Sequence, residues 1–377
     1  MDVELKKRLT NDDVLKFSNT DHQHYFDFHG KYSLREAIAK FFNKYFNVAE
    51  DISPDNLIVM SGTASCLDSL SFALFDPDDI FITPTPTYAR IFTDFNDRSL
   101  AQPYPLELPD DPEYDDMKFV LNSQILENRI LELKGQGKSV KGFVLINPQN
   151  PLGDVYSPQL IRSLLEVCAK YEMHVIIDEI YALSLINTES DVGSVLSIPN
   201  LPDPQRTHFT WSLTKDFGLA GLRVGVIHTT NSALLKVLKD VAMYCPSASI
   251  IQDLATVLLS DTKWLDETYF PLYRHRLHER YHIVKNRLRN MGAIVRPSEG
   301  GLFLWLNLRA FLDSPTIESE MELFEELFES GVYVIPGTEL FCKTPGWFRI
   351  VFSVSSKEIE TGMVRLEAVL KKKGRNK

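Results

Sequence analysis

Lys215 stands in Ser212-Leu213-Thr214-Lys215-Asp216-Phe217-Gly218-Leu219-Ala220-Gly221-Leu222-Arg223-Val224-Gly225. It follows a run with strand character, Thr207 to Trp211, and is flanked by the hydroxyls of Ser212 and Thr214. Arg223 comes eight residues later in a glycine-rich stretch. An amine in that setting suits a Schiff base with an aldehyde, while hydroxyls and a cation hold an attached phosphate. Pyridoxal phosphate is the cofactor that asks for all three.

Other residues add to this chemistry. Asp178 ends the apolar run His174-Val175-Ile176-Ile177 and Tyr181 follows three residues later. Open α/β sheets bind ligands beyond the carboxyl ends of their strands. There Asp178 would pair with a protonated pyridine nitrogen, or simply cap the next turn. Asn150 lies in Asn147-Pro148-Gln149-Asn150-Pro151-Leu152-Gly153, either a turn-rich linker or the source of an amide for the ring oxygen. Ser61-Gly62-Thr63-Ala64 marks a strand-to-helix junction, where free N–H groups favour a phosphate. Tyr88 follows two prolines and offers an aromatic face for the ring or for plain packing. Arg349 lies in the apolar run Gly346 to Phe352, where a guanidinium needs a carboxylate from the protein or from a substrate.

The elements that must position these groups alternate. Ser33 to Phe46, Ala64 to Phe75 and Gln159 to Tyr171 have helical character. Leu57 to Met60, Ile80 to Thr83 (ended by Pro84 and Pro86), Gly142 to Ile146, His174 to Ile177, Thr207 to Trp211 and Leu222 to His228 are strand-like. This predicts an α/β fold with a mainly parallel sheet covered by helices on both faces. After Cys245 a charged helix from about Trp264 to Met291 leads to strands at Gly301 to Leu308 and Phe348 to Val354, an α+β unit. The expected division is an N-terminal segment 1–32, a large domain 33–245 and a small domain 246–377.

Composition limits the partners. With 51 acidic and 40 basic residues the net charge is -11, which disfavours nucleic acid and anionic membranes. The four cysteines show no CxxC spacing, so neither a disulfide frame nor a metal site is expected. The charged N-terminus and the lack of a long apolar stretch predict a cytoplasmic protein. The acidic stretch Asp110 to Asp116 reads as a solvated loop, and Lys371 to Lys377 as a frayed tail.

Together these residues resemble the fold type I pyridoxal-phosphate enzymes of the class I aminotransferase superfamily. The likeness is nearest to 1-aminocyclopropane-1-carboxylate synthases and the animal synthase-like proteins. It is carried by Asp27-Phe28-His29-Gly30, Asn147 to Gly153, Asp178 to Tyr181, Ser212 to Gly225, Gly301-Leu302-Phe303-Leu304-Trp305, Glu318 to Phe324 and Pro345 to Arg349. The resemblance implies a large domain with a seven-stranded, mainly parallel sheet, a smaller α+β domain, and a homodimer with shared active sites. It implies that Lys215 forms the Schiff base and moves the Cα proton, that Asp178 pairs with the ring nitrogen, and that Tyr181 and Asn150 bind the ring oxygen. Tyr88 would stack on the ring. Gly62, Thr63, Ala64, Ser212, Thr214 and Arg223 would form the phosphate site, and Arg349, with Asn150 and Tyr88 beside it, the substrate site.

Two departures qualify the chemistry. Phe28 stands where the synthases carry a tyrosine that donates to the phosphate of the neighbouring subunit's cofactor. The arm with a Gly-x-x-Glu-Asn segment that closes over the substrate is expected to be missing, because Met1 to Leu9 resembles the part just after it. One hydrogen bond is worth about 0.5–1.5 kcal/mol, too little to abolish cofactor binding but enough to redirect a reaction. The expectation is therefore an aminotransferase or a C–S β-lyase acting at Cα. The alternatives are a true synthase acting on S-adenosylmethionine and a weakly catalytic, cofactor-binding dimeric scaffold.

Overall fold

The computed structural model describes residues 2–9, 20–108, 119–186 and 193–374. The stretch Asp110 to Asp116 lies outside the described residues. Seven strands form the larger sheet: β1 (Leu57–Met60), β2 (Ile80–Thr85), β3 (Gln102–Glu107), β4 (Val140–Ile146), β5 (His174–Asp178), β6 (Thr207–Ser212) and β7 (Gly225–His228). Their order is β1-β7-β6-β5-β4-β2-β3. The pairs among β6, β5, β4, β2 and β3 are parallel, whereas β7 runs antiparallel to both β1 and β6. Every residue of β1 and β2 is buried, as a sheet covered on both faces requires.

Two details depart from the sequence pattern. β2 does not end before Pro84 but continues to Thr85, which pairs with Glu107. Its ladder with β4 stops at Ile82, so past that point one side of β2 has no partner and tolerates proline. β3 itself, with Pro103 and Pro105, has no strand signature. It is the sheet's edge, where a missing N–H costs little.

The second sheet has the order β10-β11-β9-β8, built from β8 (Ile294–Val295), β9 (Phe303–Asn307), β10 (Ile335–Pro336) and β11 (Trp347–Val351), all antiparallel. The charged helix is Phe270–Asn290, preceded by a π-helical turn at Leu265–Tyr269. Phe270 and Tyr273 pack in the same core as Phe41, Trp211 and Phe217, whereas Leu277, Tyr281, Val284 and Leu288 pack on the second sheet. The packing therefore changes inside this helix, downstream of the division expected after Cys245. The last helix, Ser356–Gly374, includes Lys371 to Lys373 instead of fraying there. Lys373 Nζ anchors it to Glu326 at 2.7 Å and Asp313 at 3.3 Å.

No described helix is long and apolar enough to cross a membrane. The four cysteines form no disulfide with one another.

Candidate active site

Parallel β2, β4, β5 and β6 end on one edge of the sheet, and the segments after them meet there. They enclose a cavity of about 310 Å³. It is lined by Thr63, Ala64, Tyr88, Asn150, Asp178 and Tyr181, and by Thr214, Lys215, Arg223 and Arg349. Ten residues singled out from the sequence thus share one cavity, though they span most of the chain. Ser212 and Gly62, each a chain neighbour or near neighbour of lining residues, are not themselves part of the lining, and neither is Phe28. Phe303, from the Gly301 to Trp305 run, lines it too, as do Leu67, Asp94 and Ser353, which carry no motif in the sequence.

The lysine turn is held from below. Ser212 caps the short helix Leu213–Asp216 by accepting from the Thr214 N–H at 3.2 Å. Asp216 is buried and accepts from Trp211 Nε1 at 2.8 Å, Ser184 Oγ at 2.6 Å and the Leu183 N–H at 3.2 Å. These bonds fix the backbone beside Lys215 while its Nζ reaches to 5.9 Å from the Tyr181 ring centre. Burial lowers the Lys215 pKa, Arg349 adds to the effect, and Asp178 opposes it. An amine so placed is easier to hold neutral than a surface lysine.

Asp178 ends β5, where the Asn147 N–H donates to its carbonyl at 2.9 Å. Its Oδ1 accepts from the Ile180 N–H and from Thr210 Oγ1, both at 3.2 Å. Its Oδ2 accepts from no described residue. Burial lifts this carboxyl to about 7, against the two bonds to Oδ1. Tyr181 is buried edge-on to Phe303 with ring centres 5.4 Å apart, and burial pushes its pKa up.

At one end of the cavity the helix Thr63–Leu74 begins, capped by Gly62. Gly62 has φ +85°, and a Cβ there would lie 2.3 Å from Arg223 Nη2. Arg223 therefore lies flat against the junction, donating from Nη2 to the Ser61 carbonyl at 3.2 Å. Arg223 is itself left-handed at φ +53°, uncommon for a residue with a side chain. Thr63 Oγ1 is buried without a partner. A helix start, a bare hydroxyl and a guanidinium make an anion cradle.

At the other end Arg349 projects from β11, where it lies between Trp305 and Ile335. Its Nη1 donates to Asn150 Oδ1 at 2.7 Å, and its cation sits 5.4 Å from the Phe303 ring centre. Its buried Nε has no partner, and no carboxylate of a described residue pairs with it. The alternative that a protein carboxylate satisfies it therefore finds no support here. Two orphaned donors at opposite ends of one cavity, with an amine and a buried carboxylate between them, fit pyridoxal phosphate and a bound carboxylate.

The chain belongs to the aminotransferase class I and II family, whose model matches residues 5–366. That family depends on pyridoxal phosphate. Among its curated relatives is 1-aminocyclopropane-1-carboxylate synthase-like protein 1 of Bos taurus, 35% identical over 97% of this chain and 73% of that one. Another, from Homo sapiens, is named probable inactive 1-aminocyclopropane-1-carboxylate synthase-like protein 2, and is 33% identical over 97% of this chain and 64% of that one. Of the solved structures, the aromatic aminotransferase from Pyrococcus horikoshii OT3 shares the fold. It has a TM-score of 0.82 and 22% identity over 98% of this chain and 92% of that one.

Proposed function

We propose that the protein is a pyridoxal-phosphate-dependent enzyme acting at the Cα of an amino acid, with Lys215 carrying the cofactor and moving the Cα proton. One observation carries this reading: a lysine amine of lowered pKa shares a cavity with buried Asp178 and with Arg349, whose Nε lacks a partner. When bound, the cofactor supplies an electron sink for the bonding pair of the Cα–H bond. Arg349 takes the substrate α-carboxylate in a bidentate fork, with Asn150 fixing the guanidinium plane. The fork orients the Cα–H bond toward Lys215 Nζ, which removes the proton as general base and can return it. Asp178 presents Oδ2 to the ring nitrogen while Thr210 and the Ile180 N–H hold Oδ1. Tyr181 keeps its proton and donates it, with the Asn150 amide, to the ring oxygen. Tyr88 packs on the ring face. Gly62, Thr63, Ala64, Ser212, Thr214 and Arg223 hold the phosphate.

Within this class we favour an aminotransferase or a C–S β-lyase. Phe28 supports that choice, because it offers no hydroxyl to a phosphate. We also propose a cytoplasmic homodimer that places Phe28 at the neighbouring cavity. The exposed Tyr25, Tyr32, Met243 and Tyr244 support it as apolar surface near edge strand β1. The Val59 N–H of β1 donates to the His29 carbonyl, and the Ser61 N–H just beyond it to the Cys245 carbonyl. A cofactor-binding scaffold is the second reading, favoured by the name of the human relative.

The test is product analysis of the cofactor-loaded protein with S-adenosylmethionine, and with an amino-acid panel in the presence and absence of 2-oxoglutarate. A new keto acid with glutamate means an aminotransferase. Pyruvate, ammonia and a thiol from a cysteine conjugate mean a lyase. 1-Aminocyclopropane-1-carboxylate with methylthioadenosine means a synthase and overturns the preference drawn from Phe28. No product, with an absorption spectrum that amino acids leave unchanged, overturns the enzyme reading in favour of the scaffold.

A further inference from the structure

Asp94 lines the active-site cavity, yet no step above uses it. It belongs to the short helix Arg90–Asn96, which follows Tyr88, and its side chain is only 5% exposed. Oδ1 accepts from Arg90 Nη2 at 2.8 Å, and that arginine is 58% exposed on the outer side. Oδ2 accepts from no described residue. A carboxylate withdrawn from water is costly unless a cation or donors oppose it, and here only its outer oxygen is opposed. The charges around it are mixed: Arg90 opposes the effect of burial most strongly, while Asp97 from the end of its own helix and Asp68 from the helix Thr63–Leu74 add to it. Tyr88 and Asp178, both on the cavity wall, feel the Asp94 charge. Lys215 also acts on Asp178, while Arg349 acts on Tyr88 and Lys215.

We propose that Asp94 is a positioning residue that sets charge: with Asp178 it makes the middle of the cavity wall anionic, and that stretch selects the ring-protonated, cationic form of the bound pyridine. The inference rests on the cofactor reading above. Asp178 contacts the ring nitrogen, and Asp94 acts on that contact through its field. Each carboxylate has one oxygen that accepts from no described residue, so a cationic ligand in the cavity they both line relieves both. Arg90 opposes the effect from solvent, which fixes the sign of its removal.

The experiment compares dissociation constants for pyridoxal phosphate and for its analogue with carbon in place of the ring nitrogen, which cannot be protonated there. It uses the unaltered full chain, Asp94→Asn and Arg90→Gln, each read by the absorbance of the bound ligand. The unaltered protein prefers the natural cofactor. Asp94→Asn is expected to cut that preference by roughly three- to tenfold, the size of one charge a few ångströms away when solvent in the cavity screens most of its field. Arg90→Gln is expected to increase it. If Asp94→Asn weakens both ligands equally, or Arg90→Gln lowers the preference, the inference fails. Should Asp94→Asn not fold, the sign of the Arg90→Gln effect decides alone. If the unaltered protein binds neither ligand, the cofactor reading itself is overturned. Binding of both with an unchanged ratio in the variants overturns the role of Asp94 only.

Discussion

The two edges of the larger sheet both bury polar side chains, but they treat them in opposite ways. At the amino edge His174 Nδ1 meets His208 Nε2 at 3.0 Å, and His208 Nδ1 meets Thr229 Oγ1 at 2.9 Å. Thr229 Oγ1 in turn accepts from the Asn231 N–H at 3.2 Å. The chain is closed within the protein. At the carboxyl edge Thr63 Oγ1 and Arg349 Nε are buried without partners, and Asp178 and Asp94 each have bonds from described residues on Oδ1 alone. Buried polar atoms are almost always bonded in a finished core, so an unfinished set around a cavity marks where a ligand completes it. Burial alone does not distinguish the edges; satisfaction does.

The strongest way to break this contrast is at Lys215. Lys215→Ala is expected to lose turnover by at least roughly a hundredfold, the usual scale for a positioned base. Mass spectrometry after borohydride reduction should find the cofactor adduct on Lys215 in the unaltered protein and nowhere in the variant. An adduct that persists elsewhere would show that the cavity is not the reactive centre. Arg349→Ala should raise KM for the amino acid by roughly ten- to a hundredfold, the worth of a charged hydrogen-bonded pair, with little change in cofactor affinity. A change in cofactor affinity alone would move Arg349 out of the carboxylate role.

The edges should also respond to pH with opposite sign. Burial holds Asp178 at about 7, above its ordinary 3.8, so between these values the folded state binds more protons. Stability without cofactor then falls as pH rises through that window. His208 is pushed down to about 3 from 6.5, so the unfolded state binds more protons there and stability falls as pH drops from 6.5. Melting of the cofactor-free Asp178→Asn variant should therefore gain on the unaltered protein at pH 8 relative to pH 5. Part of the alkaline loss remains, because burial also lifts Glu179 to about 8 and Asp216 to about 7. Equal shifts at both pH values would mean that Asp178 is already charged in the fold.

The smallest effects sharpen the comparison most directly. Thr63→Val removes a hydroxyl that bonds nothing, and Thr229→Val removes one that completes a chain. The first should leave cofactor-free stability level or slightly higher while weakening cofactor affinity. The second should cost about 1–2 kcal/mol in denaturant unfolding with affinity unchanged. Equal destabilisation by both would erase the distinction between the edges.

Much of the site was legible because its residues sit in runs whose chemistry is local. Lys215 between two hydroxyls, Asp178 at the end of an apolar run and Arg349 inside one are each out of place unless a ligand explains them. Asp94 was not legible, because Arg90 and Asp94 at helical spacing read as an ordinary solvated pair. β3 was hidden by Pro103 and Pro105, which suggest a turn until the edge position is known. The change of core inside the helix Phe270–Asn290 was hidden for another reason. The same apolar spacing serves either sheet, and only the crossing of the chain decides which one it meets.

What the sequence determined by itself was the kind of chemistry and the order of its parts: residue types carry reactivity, and the alternation of apolar runs dictates a sheet with helices over it. What only the tertiary structure decided was which polar atoms remain unsatisfied. Satisfaction depends on where distant segments meet, as Arg349 meets Asn150 and Gly62 meets Arg223, and no local pattern records those distances.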